Sequence, residues 1–224
     1  MENPTFSSQI KTSQPLCSRN NMLQPQCGGD LEKKRLIGAS LRSVMIESNL
    51  QKGTAHLSLL MSENSNNLQT ATFAAGCFWG VEEQFTNVKG VKSTIVGYAG
   101  GCFEYPTYEH VCADSTGHAE AIQITYDARE VSYEDLLAVF WSVHNPTTKN
   151  RQGFDYGTQY RSAIFYHTLQ QKEIARKSKE EVEKSGRFKN KRIVTEIVPA
   201  STFYKAEEYH QKYYQKKGGG RCYL

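Results

Sequence analysis

The residue type with the most chemistry to offer is cysteine, and one of the six stands in a setting suited to attack. Cys77 lies in the string GCFWG, after the β-prone run TATFAA and before the helix-forming VEEQF. A strand that turns at Gly-Cys into a helix puts the cysteine at the helix amino-terminus. There the unpaired N–H groups and the positive end of the dipole favour the thiolate, the nucleophilic form. Gly76 and Gly80 let backbone approach closely, while Phe78 and Trp79 set two aromatic faces beside the sulfur. From this pattern alone two readings stand. Cys77 is a reactive thiol, or it is a buried structural cysteine with Phe78 and Trp79 anchoring a helix to the core.

The other cysteines are Cys17, Cys27, Cys102, Cys112 and Cys222. Met1–Ile10 shows no apolar stretch behind a basic start, so a secretory signal is not expected, and without an oxidising compartment paired structural disulfides are disfavoured. No C-x-x-C or paired Cys/His spacing points to a metal. The histidines His110, His118, His144, His167 and His210 are read as structural, with His118 and His144 as candidates for orienting loops near a site.

The 224-residue chain carries 27 basic and 23 acidic side chains, a net +4 that gives no electrostatic footprint for nucleic acid. No apolar run approaches the ~18–20 residues of a membrane span. Composition shifts near residue 70. Residues 1–67 are rich in Ser, Asn, Gln and Gly, and Phe6 is their single aromatic residue. They bury too little apolar area to offset the entropy of ordering. Within them, Ile37, Leu41, Val44 and Met45 recur at helical spacing. Lys33, Lys34, Arg35 and Arg42 would suit a transit peptide, but Glu2, Asp30, Glu32 and Glu47 argue against one. A disordered extension is the favoured expectation.

From about residue 68 the pattern is that of a folded unit. Strands are expected at Thr70–Ala75, Ser93–Tyr98, Glu120–Tyr126, Ser162–Tyr166 and Lys191–Val198. Helices are expected at Ser132–Val143, with Ser132 as N-cap and Asp135 three residues on, at Thr168–Gly186, and at Phe203–Tyr214. Intermingled strands and helices over about 155 residues make one α+β or α/β domain.

Six short strings then follow one another: GCFWG, GYAGG (97–101), PTYEHVC (106–112), TGHAEA (116–121), RQGFDYGTQYRS (151–162) and AEEYHQKYY (206–214). In that order they closely resemble the peptide-methionine (S)-S-oxide reductase family, the A type of methionine sulfoxide reductase, from about Gln69 to Leu224. The resemblance implies an α+β two-layer sandwich around a central mixed sheet, ferredoxin-like in type, and residue roles that spacing does not give. Cys77 is the nucleophile; Phe78 and Trp79 form the pocket for the substrate methyl group. Tyr108 and Tyr160 hold the sulfoxide oxygen, Glu120 protonates it, and Asp155 supports the site through water.

Elementary chemistry is consistent with those roles. A sulfoxide sulfur is a poor electrophile until a proton lets its oxygen leave as hydroxide or water. A Glu buried among aromatic rings favours its neutral form and can supply that proton. Attack leaves Cys77 as a sulfenic acid, and a second thiol must condense with it. By resemblance to relatives that keep a recycling cysteine in a Gly-rich tail, that thiol is Cys222, behind Gly218–Gly220 in the tail 215–224; thioredoxin or a similar thiol such as dithiothreitol would reduce the Cys77–Cys222 bond. Some relatives use two tail cysteines, and this tail has one. Cys112 fits the family pattern as a packed core thiol, Cys102 is a bystander or a competing resolving thiol, and Cys17 and Cys27 are incidental. No resident cofactor or metal is expected, and no nucleic-acid or membrane partner; the substrates are oxidised methionine in proteins or free, and the protein is expected to be a monomer. The cytosol is the expected compartment, with mitochondrion or plastid as the alternative if residues 1–67 are cleaved. Two rivals come from other classes. One is a cysteine hydrolase pairing Cys77 with His118 or His144; the other is a binding module that merely grips methionine-like side chains.

Overall fold

A computed structural model describes residues 67–189 and 191–218. The expected extension 1–67 therefore lies outside the described residues but for its last position, and so do Cys17, Cys27 and Cys222.

Four long strands form the centre: β1 (Leu68–Ala75), β2 (Val91–Ala99), β3 (Ala119–Asp127) and β6 (Ser162–Tyr166). The short β4 (Arg151–Gln152) and β5 (Asp155–Tyr156) pair as a separate hairpin, while β7 (Glu196–Pro199) and β8 (Tyr204–Lys205) close the edges of the main sheet. The order is β7-β6-β1-β3-β2-β8. All pairings are antiparallel except β6 with β7, so the sheet is mixed and the α+β expectation holds. The inner order β6-β1-β3-β2, read with its intervening helices, is the ferredoxin-like arrangement.

Strand alternation sorts the side chains. Phe73, Ile122, Ile124 and Ile164 join Val81 and Phe85 of helix α1 (Phe78–Thr86) and Leu136, Leu137, Phe140 and Trp141 of helix α3 (Tyr133–Ser142) in the main core. Burying each such side chain contributes about 1.5–3 kcal/mol. Helix α2 (Tyr108–Cys112) is a single turn or so, and α4 (Leu169–Lys184) runs against α3 and β7. The opposite face is lined by Ala74, Ala121 and Ala163 with Phe165, small residues that let the 198–203 segment lie close. The expected caps are present: Ser132 accepts from Asp135 N–H at 3.1 Å in a reciprocal capping box, and Thr168 accepts from Gln171 N–H.

Two expectations fail. Lys191–Val198 yields a strand only at Glu196–Pro199, because the preceding residues serve the core from a loop: Ile193 is buried, and Val194 N–H bonds to Pro146 O. Phe203–Tyr214 is not one helix. Tyr204–Lys205 pairs with the edge of β2, turns follow, and only α5 (Tyr213–Lys216) is helical. Gly97 explains the pairing. A Cβ there would lie 2.2 Å from Tyr204 O, so only glycine admits β8 at this edge.

Candidate active site

Cys77 occupies the N-cap of α1, as the Gly-Cys turn predicts, and is buried with 9% exposure. Gly76 delivers it there with φ +93, a conformation that suits glycine. A Cβ on Gly76 would also meet Gln152 Cγ at 2.7 Å. Gln152 is clamped to the Asn145 backbone on both sides of its amide, at 2.9 Å each. The hairpin that carries Asp155 is thereby packed directly behind the Cys77 turn.

Cys77 makes no side-chain cap for its helix. The first free N–H, that of Phe78, donates instead to Glu120 Oε2 at 3.0 Å. Glu120 shares strand parity with Ile122 and Ile124, so β3 aims it at the helix layer and seals it from water. Burial pushes its carboxyl up to about 8, against the pull of the Phe78 N–H and helped by the charge of Asp155. A carboxyl group that is neutral near pH 7, held at a helix amino-terminus beside a cysteine, is equipped to give a proton to an oxygen leaving that neighbourhood.

Tyr108 opens α2 and Tyr160 closes the 3₁₀ turn Thr158–Tyr160. Burial raises both phenols above their ordinary range, and each also feels the charges of Glu120, Cys77 and Asp155. Both hydroxyls therefore remain protonated donors around one spot. Asp155 is half-buried, and its carboxyl is raised by burial. The sequence-derived residues Cys77, Phe78, Trp79, Tyr108, Glu120, Asp155 and Tyr160 thus converge on one place; Cys222 lies outside the described residues.

The aromatic pocket is tied together by groups that sequence reasoning passed over. Trp79 Nε1–H donates to His210 Nδ1 at 2.9 Å, so the neutral imidazole carries its proton on Nε2, 3.8 Å from Glu207 Oε2. Burial lowers the His210 pKa and favours that neutral form. Glu207 accepts from Tyr108 N–H and from Tyr98 Oη–H, both at 2.9 Å. Tyr213 stacks flat on Trp79, with centroids 3.6 Å apart. Glu207 and His210 were visible as an i, i+3 pair, but the expected helix around them hid which way they face. Glu82 was also missed. Buried in α1, it accepts from Thr94 Oγ1 at 3.0 Å and from Lys212 N–H at 2.7 Å, with Lys212 Nζ 3.5 Å away. Lys212 itself has φ +53, a left-handed conformation uncommon for a non-glycine residue.

Two cysteine expectations need correction. Cys112 is half-buried on α2 and Cys102 is exposed, and both are disulfide-bonded. Cys112 is thus not a packed core thiol, Cys102 is not a thiol free to resolve Cys77, and the expectation against structural disulfides fails at this pair of positions. The loop between them folds back on itself, with Phe103 against His110 at 4.9 Å and Cys102 N–H bonded to Thr116 O at 3.3 Å, which holds both sulfurs near the surface. His144 also declines the hydrolase role. Its Nδ1 donates to Phe140 O at 2.8 Å, and its Nε2 takes the Ser162 hydroxyl at 2.7 Å. His118 orients the loop of Gly101 and Phe103, as anticipated. Among the described residues no cluster of His, Cys, Asp and Glu fit to hold a metal is present, and no helix is long and apolar enough to cross a membrane.

A cysteine at a helix start, a neutral carboxyl group and two phenolic donors define a thiol-based oxidoreductase site. Residues 69–224 match the family model described as peptide methionine sulfoxide reductase. Among curated relatives, the peptide methionine sulfoxide reductase MsrA of Methanosarcina acetivorans is 65% identical over 151 residues, covering 67% of this chain and 80% of that protein. The chloroplastic peptide methionine sulfoxide reductase A4 of Arabidopsis thaliana is 55% identical over 160 residues, 71% of this chain and 60% of that protein. Among solved structures, methionine sulfoxide reductase A of Corynebacterium diphtheriae superposes with a TM-score of 0.66 at 37% identity, covering 71% of this chain and 80% of the other. The chain belongs to the methionine sulfoxide reductase A family, and its activity is the reduction of peptide methionine (S)-S-oxide to methionine.

Proposed function

We propose that Cys77 is the attacking sulfur and Glu120 the proton donor of this reduction, with regeneration through Cys222. The observation that carries this reading is the Phe78 N–H to Glu120 contact, which fixes a neutral acid at the helix start that holds the thiol. The sulfoxide enters with its methyl group against Phe78 and Trp79 and its oxygen toward Tyr108, Tyr160 and Glu120. The Cys77 sulfur attacks the substrate sulfur, the S–O bond breaks as Glu120 protonates the oxygen, and Asp155 orders water beside it. Water then adds to the Cys77 sulfur, releasing methionine and leaving a sulfenic acid. In sum, thiol plus sulfoxide gives sulfenic acid plus sulfide, and the substrate sulfur takes two electrons from the cysteine.

Cys222 condenses with the sulfenic acid, water leaves, and a dithiol such as thioredoxin reduces the disulfide. No resident cofactor enters this scheme; the electrons come from the external thiol, dithiothreitol serving in the test tube. Substrates are free and protein-bound oxidised methionine, handled by a monomer without nucleic acid or membrane. The enzyme is cytosolic, or residues 1–67 are a cleaved leader to mitochondrion or plastid; mass measurement of the mature amino-terminus decides between them.

The deciding experiment for the chemistry is one turnover with methionine sulfoxide and no reductant, followed by peptide mass mapping. A Cys77–Cys222 link is the expected product, while a turnover that leaves Cys222 as a free thiol would displace it from the scheme.

A further inference from the structure

Five of the eight exposed large apolar or aromatic side chains among the described residues are aromatic rings on three segments that also hold the site: Phe103, Tyr105, Phe154, Tyr156 and Tyr209. Phe154 is 92% exposed at the tip of the β4–β5 hairpin and immediately precedes Asp155. The tip stands clear of the body, since a Cβ on Gly153 would meet nothing within 4 Å. Tyr105, 81% exposed, precedes the turn that presents Tyr108 and leans edge-on against Tyr204, which packs on the same buried cluster of Phe78, Tyr98 and Val111 as Trp79 and Tyr108 do. Tyr209 lies on His210 with centroids 4.1 Å apart. Single exposed rings are ordinary, but a concentration of them around one pocket marks a contact surface. Of the nearby charges, Glu104, Glu109 and Glu207 are acidic and Arg151 is basic, so the surface would disfavour acidic segments and leave apolar contact to hold what binds.

We propose that these rings form a rim that grips apolar residues flanking the oxidised methionine in an unfolded polypeptide. The inference rests on the reductase activity and names the substrate class it favours. The occupant follows from continuity with the pocket. A side chain that reaches Trp79 and Cys77 belongs to a backbone that must lie across the mouth, over the hairpin and the Phe103–Tyr105 loop. In an extended strand, residues advance about 3.3 Å each, so neighbours a few positions either side of the methionine come within reach of rings on both banks. Methionines that such a rim would favour are those buried among apolar neighbours in the folded state and exposed when their host unfolds.

The test compares three substrates: a short peptide with methionine sulfoxide flanked by Leu and Phe, the same peptide flanked by Gly and Ser, and N-acetyl methionine sulfoxide. Phe154→Ser and Tyr105→Ser should each lower kcat/KM for the apolar-flanked peptide by about tenfold, chiefly through KM. The other two substrates should be reduced at wild-type efficiency, which also shows that the variants fold. Equal effects on all three substrates, or none on any, would overturn the proposal. So would variants that only abolish self-association in sedimentation, since the rim would then be a contact between copies. Wild-type inactivity on N-acetyl methionine sulfoxide would instead sink the reductase reading itself.

Discussion

Helices α1 and α3 begin in opposite ways. Helix α3 is capped by its own sequence: Ser132 and Asp135 satisfy each other's backbone N–H groups, and Glu134 and Asp135 put negative charge on the first turn. Helix α1 has no acidic residue in its first turn and a cysteine at the cap that makes no capping bond. Its acceptor comes from another strand, 42 residues away in sequence. A local cap stabilises a helix with its own side chain, whereas the start of α1 relies on a carboxyl group borrowed from β3. The chemistry proposed above falls where the helix start forgoes its own stabilisation.

Substitutions can break this contrast. Cys77→Ser should abolish sulfoxide reduction, read as no methionine formed in a single turnover. Yet serine is among the better N-cap residues, so thermal denaturation should show α1 unharmed or stabilised by about 0.5 kcal/mol; a destabilised variant would mean that the sulfur holds the turn. Glu120→Gln keeps an acceptor for Phe78 N–H and removes the proton. Sulfenic acid formation should slow by about 10²–10⁴-fold with little change in substrate affinity, measured by stopped-flow. At the other helix, Ser132→Ala should cost about 1 kcal/mol in urea denaturation and leave kcat/KM untouched.

The remaining expected effect is a pH slope. Glu120 is raised from 4.5 to about 8 in the fold, so its favourable contribution is complete below the unfolded value and is lost as pH rises through about 8. Wild-type urea midpoints should fall between about pH 5 and about pH 9 more steeply than those of Glu120→Gln. Parallel slopes would show that this carboxyl group is not buried in its neutral form.

The contrast also separates what was legible in the sequence from what was not. Ser132–Asp135 is a local signal and read correctly, and so were the Gly-Cys turn and the alternating strands β1, β3 and β6. The site residues came through the order of six motifs, because nothing in the local pattern of Glu120 distinguishes it from an exposed strand carboxylate. Its neutrality depends on β3 register and on α1 lying across it, which are tertiary facts. The 203–214 segment failed for the same reason. Its aromatic spacing suits a helix, but pairing of Tyr204 with Tyr98 and the bonds of Glu207, His210 and Gln211 to β2, Trp79 and Tyr108 satisfy the chain better than a helical ladder. Glu82 reads as one more acid on a helix until its buried partners are seen.

That hook of Glu82 onto Lys212 has a geometric consequence for the end of the chain. It moors the polypeptide to the same helix that begins with Cys77, and Cys222 follows ten positions later. Ten residues pulled straight span at most about 36 Å, which bounds how far the last sulfur can lie from the helix that begins with Cys77. Under the regeneration proposed above, lengthening that span would dilute the encounter of Cys222 with Cys77 only slowly, whereas losing the Glu82–Lys212 bond would let the span start from elsewhere.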